Sequence, residues 1–316
     1  MRISVNWVWA AVVLLFLSLA ATSQASLFGG HVAQAGASGV NLQGIDLYGL
    51  DADNTIWIKK SCEGDFRRMI KVRPFSAGEA LIGIDFRPSD GQLYALSDTG
   101  NLYQVDVTPP GRGNVVLVSA VNPRFAGGFQ SLMDFNPVID ALRVIGSDDS
   151  NYAVLNNAGN LNQTVLQASI SYAAGDVNAG ANPNLVGGAY TNNLVGAKTT
   201  LFYGIDFDKD ILVTIAPGAN GSSATGGGQL TTIGRLLRFD GNPINITPTA
   251  DVDIYTDANG VNTLIGVTGR TLFTLDLATV VPGQDVIVRT SNLSDGGLID
   301  IAAKASKKTC RPGNDD

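Results

Sequence analysis

The sequence predicts an all-β repeat fold: a β-propeller of about five four-stranded blades, closed by its C-terminal strand. Three observations carry this. The chain has 37 glycines in 316 residues and only 16% charged residues, which suits short strands joined by many turns. No window shows the sustained i, i+3, i+4, i+7 apolar stripe of a surface helix. And a unit of alternating apolar runs, punctuated by turn residues, recurs with a period of about 50 residues, close to kelch-type repeats.

Residues 1–25 stand apart. Arg2 supplies a short positive region, Trp7 to Leu19 an apolar run, and Ser23-Gln24-Ala25 a small-residue cleavage pattern. This reads as a signal peptide, and the run falls short of the about 20 residues of a membrane span. The expected setting is secreted or periplasmic, with nothing spanning a membrane after cleavage. Residues 26–43, rich in Gly, Ala and Ser, read as a flexible lead-in.

The propeller domain is expected over 44–303. Its clearest unit runs from Leu81 to Ser119: a strand to Phe86, a Ser-Asp-Gly turn, Gln92–Ser97, an Asp-Thr-Gly turn, Asn101–Val107, a Pro/Gly loop, and Val115–Ser119. Asp-Gly and Asp-Thr-Gly between alternating runs are hairpin signals. Similar units begin at Ser131, Leu185 and Thr249, so full blades are expected near 81–120, 131–171 and 185–235, with a fourth from about 236 to 292. Two fragments remain. Residues 47–75 look like a blade lacking its first strand, and 297–303 (GLIDIAA) look like a lone first strand. Together they make a composite fifth blade and leave no open sheet edge. Six blades, a two-sheet sandwich and a solenoid are the alternatives. Residues 304–316 form a basic, polar tail.

The segment GIDFRPSDGQLYALSDTGNLYQVD at 83–106, echoed by SLMDFNPVIDALRVIGSD and LFYGIDFDKDILV, resembles an uncharacterised secreted family, domain of unknown function 4394. The resemblance spans roughly 44–303. It implies a propeller-like domain in a bacterial secreted or periplasmic setting, and it implies no activity and no catalytic residue.

The chemistry-bearing residues are few. His31 is the single histidine and sits in the lead-in, so Ser-His-Asp or Cys-His catalysis has no base, and polyhistidine metal or haem sites are excluded. Aligning the first strands of the blades puts Asp85, Asp134, Asp253 and Asp300 at equivalent positions, with Ala189 in the remaining blade. Four acids at one level around an axis repel unless hydrogen-bonded or bridged. Either each accepts backbone N–H groups in its own blade, or a hard cation such as calcium bridges them. Arg87 and Asn136, two residues beyond two of these acids, complete the candidate axial site. Asp206, Asp208 and Asp210 imitate the start of a calcium loop, but Ile211 and Pro217 stand where that loop needs Gly and Glu, so the segment reads as a strand-end turn. No other cofactor is expected.

Cys62 and Cys310 are the only cysteines; in an exported chain an even number favours a disulfide, here one that would clasp the composite blade. The net charge of −7 argues against nucleic-acid binding. Basic residues nonetheless gather in two segments, Lys59, Lys60, Arg67, Arg68, Lys71 and Arg73 in the first blade and Lys304, Lys307, Lys308 and Arg311 near the end. Brought together they would form a patch for an anionic surface or glycan, or simply a solvated edge. The expected function is a non-catalytic binding or scaffold module. The alternative is a cation-dependent hydrolase or lyase using the axial carboxylates.

Overall fold

The computed structural model describes residues 39–307, apart from 62, 74–75, 124, 126, 129, 158–159, 216–226 and 295. Among them the chain is all-β, with one 3-10 turn at Leu277–Thr279. Among the described residues no helix is long and apolar enough to cross a membrane.

The first three strands are β1 (Ile45–Asp51), β2 (Thr55–Lys59) and β3 (Arg68–Lys71). Next come β4 (Leu81–Phe86), β5 (Leu93–Ser97), β6 (Asn101–Val105) and β7 (Val115–Ala120), an antiparallel sheet in chain order. Its turns form where the sequence supplies the backbone: Gly91 and Gly100 take the left-handed region, φ 66° and 84°, and the Asp90 carboxylate accepts the Gln92 N–H. The strands β8 (Leu132–Asn136), β9 (Ala141–Ile145), β10 (Asn151–Asn157) and β11 (Asn160–Leu166) repeat this pattern.

The rest departs from the simple repeat. After the short β12 (Ser171–Tyr172) come β13 (Leu185–Tyr190), β14 (Phe202–Asp206), β15 (Ile211–Ile215) and β16 (Gln229–Arg238). Then follow β17 (Asp251–Thr256), β18 (Asn262–Thr268), β19 (Thr271–Asp276) and β20 (Val286–Asn292). Each four is an antiparallel meander, but β16 runs on to Arg238 and pairs in parallel with β20, so the two fours merge, with β12, into one nine-stranded sheet. The boundary expected near 236 therefore lies inside β16, and the unit expected to start there begins only at Asp251. The last strand, β21 (Leu298–Ala305), pairs antiparallel with β1, giving the sheet β21-β1-β2-β3 from the two ends of the domain.

Five hydrophobic cores lie between successive units. One joins Tyr48 and Ile56 to Ile84 and Tyr103, the next Ile82 and Tyr94 to Phe135 and Val144, the third Leu132 and Ile145 to Phe202 and Val213. The fourth joins Leu212 and Ile233 to Val252 and Phe273, and the fifth Ile265 and Leu272 to Leu47 and Ile301. The innermost strands follow the same order: β21 lies against β4, β4 against β8, β8 against β13, β13 against β17, and β17 against β21. Both faces of these strands are covered, so they are buried along their length rather than alternately, as in Leu81–Phe86.

Candidate functional site

The inner strands carry the acids. Asp85, Asp134, Asp253 and Asp300 are each only 2% exposed. A buried carboxylate must find donors, and here the donors come from the neighbouring unit. Asp300 Oδ1 accepts the N–H of Ile84 at 2.9 Å, Asp85 Oδ2 that of Phe135 at 2.8 Å, Asp134 Oδ1 that of Tyr190 at 2.9 Å, and Asp253 Oδ2 that of Ala303 at 2.6 Å. Each acid thus ties its strand to the next one. Of the two sequence readings, one placed these bonds within each acid's own blade; Asp253 does also take such a bond, from Ile254, and a Phe86 backbone hydrogen bond likewise acts on Asp85. A fifth acid, Asp251, was missed. It accepts the Ile301 N–H at 3.0 Å and doubles the link between β17 and β21.

The remaining junction, β13 to β17, has Ala189 in place of an acid. There the backbones approach closely instead: a Cβ on Gly187 would sit 2.7 Å from Asp251 Oδ1 and from the Val252 nitrogen.

Oxygens of Asp85, Asp134 and Asp253 lie within 4.8 Å of one another. Burial first, then mutual repulsion, raises Asp85, Asp134 and Asp300 well above the carboxylate range. Burial raises Asp251 likewise and Asp253 to about 6, against the pull of their backbone hydrogen bonds. Asp85 Oδ1 is buried with no hydrogen-bond partner among the described residues. The three carboxylates are the residues that could hold a metal. Oxygens this close suit a hard cation, whose ligand bonds of about 2.3–2.6 Å put opposite ligands near that separation. Protons would relieve the same repulsion.

Arg87 and Asn136 have other partners. Arg87 donates Nε and Nη2 to the two oxygens of Asp140, at 2.8 and 2.5 Å, and Nη1 to Asp90. Asn136 Oδ1 caps its own turn, accepting from Val138 and Ile139. Asp206 is fully buried and bonded to Tyr172 and to the Asp208 N–H, while Asp210 takes the left-handed region and accepts the Ile246 N–H, so this segment is a turn.

The basic residues are mostly engaged locally. Lys59 is buried and donates to the Glu63 carbonyl, Lys60 pairs with Asp46 at 2.7 Å, and Arg68 pairs with Glu63 at 2.7 Å. Lys71 donates to the Asp53 carbonyl, and Lys304 lies over the Phe86 ring and donates to the Gly91 carbonyl. Arg67, Arg73 and Lys307 are exposed. Lys308, Arg311, Cys62 and Cys310 lie outside the described residues, as do the signal segment and His31.

One buried acid had no sequence signal. Glu79 lies in the connection before β4. Burial alone would raise it, but hydrogen bonds from Ser97, Thr99, Tyr103 and Asn101 bring it down to about 2.

No curated protein matches the chain. Among solved structures it is similar to a luciferin-regenerating enzyme at 13% identity and TM-score 0.45, over 83% of this chain and 76% of that one. It is also similar to the major allergen Mala s 1 of Malassezia sympodialis, at 10% identity and TM-score 0.45, over 81% and 78%. An auxiliary nutrient binding protein from Bacteroides ovatus is similar at 12% identity and TM-score 0.42, over 69% and 55%. Likenesses this distant carry no argument about ligand or chemistry. The family model described as domain of unknown function (DUF4394) matches residues 56–284, most of the described domain, and the chain belongs to that family.

Proposed function

We propose that this chain is a five-bladed β-propeller working outside the cytoplasm as a non-catalytic binding module. Support for five blades comes from the five inter-unit cores and from the cyclic order of the inner strands. The pattern of Arg2 and Trp7–Leu19, with two cysteines, supports export.

The observation that carries the non-catalytic reading is the use of the axial acids. Asp85, Asp134, Asp253 and Asp300 are buried and each accepts an amide of the adjoining strand. A general acid or nucleophile must meet substrate, whereas these carboxylates serve as clasps between blades. A second reading, a cation-dependent hydrolase or lyase at the axis, has one observation in its favour: the unpartnered Asp85 Oδ1 beside two further carboxylates.

Turnover separates the two. Residues 26–316 would be assayed with calcium against a panel of esters, lactones and glycosides. The binding-module reading expects no turnover above that of Asp85→Asn. Turnover that requires calcium and disappears in Asp85→Asn would overturn it in favour of the second.

A further inference from the structure

A cavity of about 420 Å³ opens between the β13–β16 and β17–β20 units. Loop 191–201, joining β13 to β14, forms one wall; loop 257–261, joining β17 to β18, forms the other, with the turn at Leu277–Thr279 beside them. Its size falls in the roughly 300–1,000 Å³ range of small-ligand sites.

Among the described residues the lining contains no charged side chain. A charged ligand entering it would lose water without gaining a counter-charge. The polar lining is amide and hydroxyl, and it is braced. Asn192 donates its N–H to Asn262 Oδ1 at 2.7 Å, and Asn262 Nδ2 donates to Asn192 Oδ1 at 3.1 Å. Thr256 Oγ1 also donates to Asn262 Oδ1, and Asn192 Nδ2 donates to the Thr199 carbonyl. Bonds across two loops fix the walls before any ligand arrives, which lowers the ordering cost of binding.

One polar group in this wall is without a bond. Tyr203, on β14, is partly buried; burial alone raises its phenol, and its hydroxyl makes no hydrogen bond among the described residues. Against these polar groups stand apolar surfaces, Val261 at 45% exposure, Leu277 and Ala278. The cavity therefore offers uncharged hydrogen-bonding groups beside hydrocarbon and an aromatic ring. A neutral saccharide matches this: hydroxyls around its edge, apolar C–H groups on its faces, no charge to desolvate.

We infer that the cavity between loops 191–201 and 257–261 is a binding site for an uncharged saccharide, with the Tyr203 hydroxyl as a ligand contact. The inference rests on the binding-module reading and names its ligand class. The probes are neutral oligosaccharides built from glucose, mannose, galactose or xylose, with oligogalacturonate as an acidic counterpart. They would be titrated calorimetrically into wild type, Tyr203→Phe and Ala278→Trp, each checked for an unchanged melting temperature. Ala278 is exposed, so the tryptophan fills the cavity without entering the core.

At least one neutral oligosaccharide is expected to bind. Tyr203→Phe, losing one hydrogen bond, should weaken it by about 3- to 10-fold, and Ala278→Trp should abolish it. The inference is overturned if no neutral oligosaccharide binds, or if one binds both variants as tightly as wild type. Binding of the acidic counterpart alone, indifferent to both variants, also overturns it while leaving the binding-module reading standing. Hydrolysis of a probe, lost in Asp85→Asn, removes the binding-module reading itself.

Discussion

Asp134 shows what a single axial acid does. Its carboxylate accepts the Tyr190 N–H and shares a buried space with Asp85 and Asp253. Asp134→Ala would leave that N–H buried and unpaired and should cost about 1–3 kcal/mol, measured by chemical denaturation. Asp134→Asn keeps a carbonyl oxygen for the bond and removes a charge, so above pH 7 it should match or exceed wild type. The pH dependence follows from the same group. Unfolded, such an acid loses its proton near 3.8; in the fold Asp253 keeps it to about 6, and burial raises its neighbours well above 3.8 as well. The fold then binds more protons than the unfolded chain, so stability falls as pH rises through that window. Glu79 has the opposite sign. Its pKa falls from 4.5 to about 2, so its contribution is present above 4.5 and lost as pH falls toward 2. In chelator, the melting temperature should therefore be higher at about pH 5 than at about pH 8, and fall again below about pH 4. A melt that only rises from pH 5 to 8 would contradict the buried, proton-holding acids.

At the scale of elements, junctions differ in how they are made. Four have an acid reaching across, and the β13–β17 junction has close backbone approach at Gly187. Gly187→Ala would press a methyl group on the Val252 backbone and on Asp251, and overpacking of this kind costs about 1–3 kcal/mol; a lowered denaturation midpoint checks it. The strands were legible because alternating runs end at Asp-Gly and Asp-Thr-Gly, and the inner-strand acids were legible because they recur in register. The partner of each acid was not, since a carboxylate's own strand and its neighbour offer the same amides. Nor was the β16–β20 pairing, because Leu236, Leu237 and Arg238 read as the start of a new unit rather than the end of an old strand. The cavity was hidden for a different reason. Tyr203, Asn262 and Ala278 are common residue types on three separate segments, and only the packing of two antiparallel meanders makes them neighbours.

For the whole molecule, closure is the decisive contact. β21 supplies one strand to the first sheet, two acceptors' worth of donors for Asp251 and Asp253 through Ile301 and Ala303, and Asp300 for Ile84. Removing residues 297–316 should therefore abolish cooperative unfolding, as followed by circular dichroism, and not merely lower the melting temperature. We propose that Cys62 and Cys310 reinforce the same closure. Ser61 Oγ accepts the Gly44 N–H and the Ser306 N–H donates to the Gly44 carbonyl, so residues just before both cysteines meet at one glycine. A bond closing so long a loop is worth roughly 5 kcal/mol at most. Reduction should lower the melting temperature by several degrees, and mass spectrometry of the unreduced protein should find the two cysteine peptides joined.

The register of β21 on β1 also decides how the protein responds to force. Ile45, the first residue of β1, sits opposite Ala305, the last of β21. Traction on the two ends of the chain would load that pair alone, then Asp46 with Lys304, and so on down the ladder. The seam would unzip one rung at a time instead of shearing as a block, so tension applied through the termini would open the molecule at a low threshold. A Cys62–Cys310 bridge would carry that tension past β21 to the loop after β2, and the seam would feel none of it.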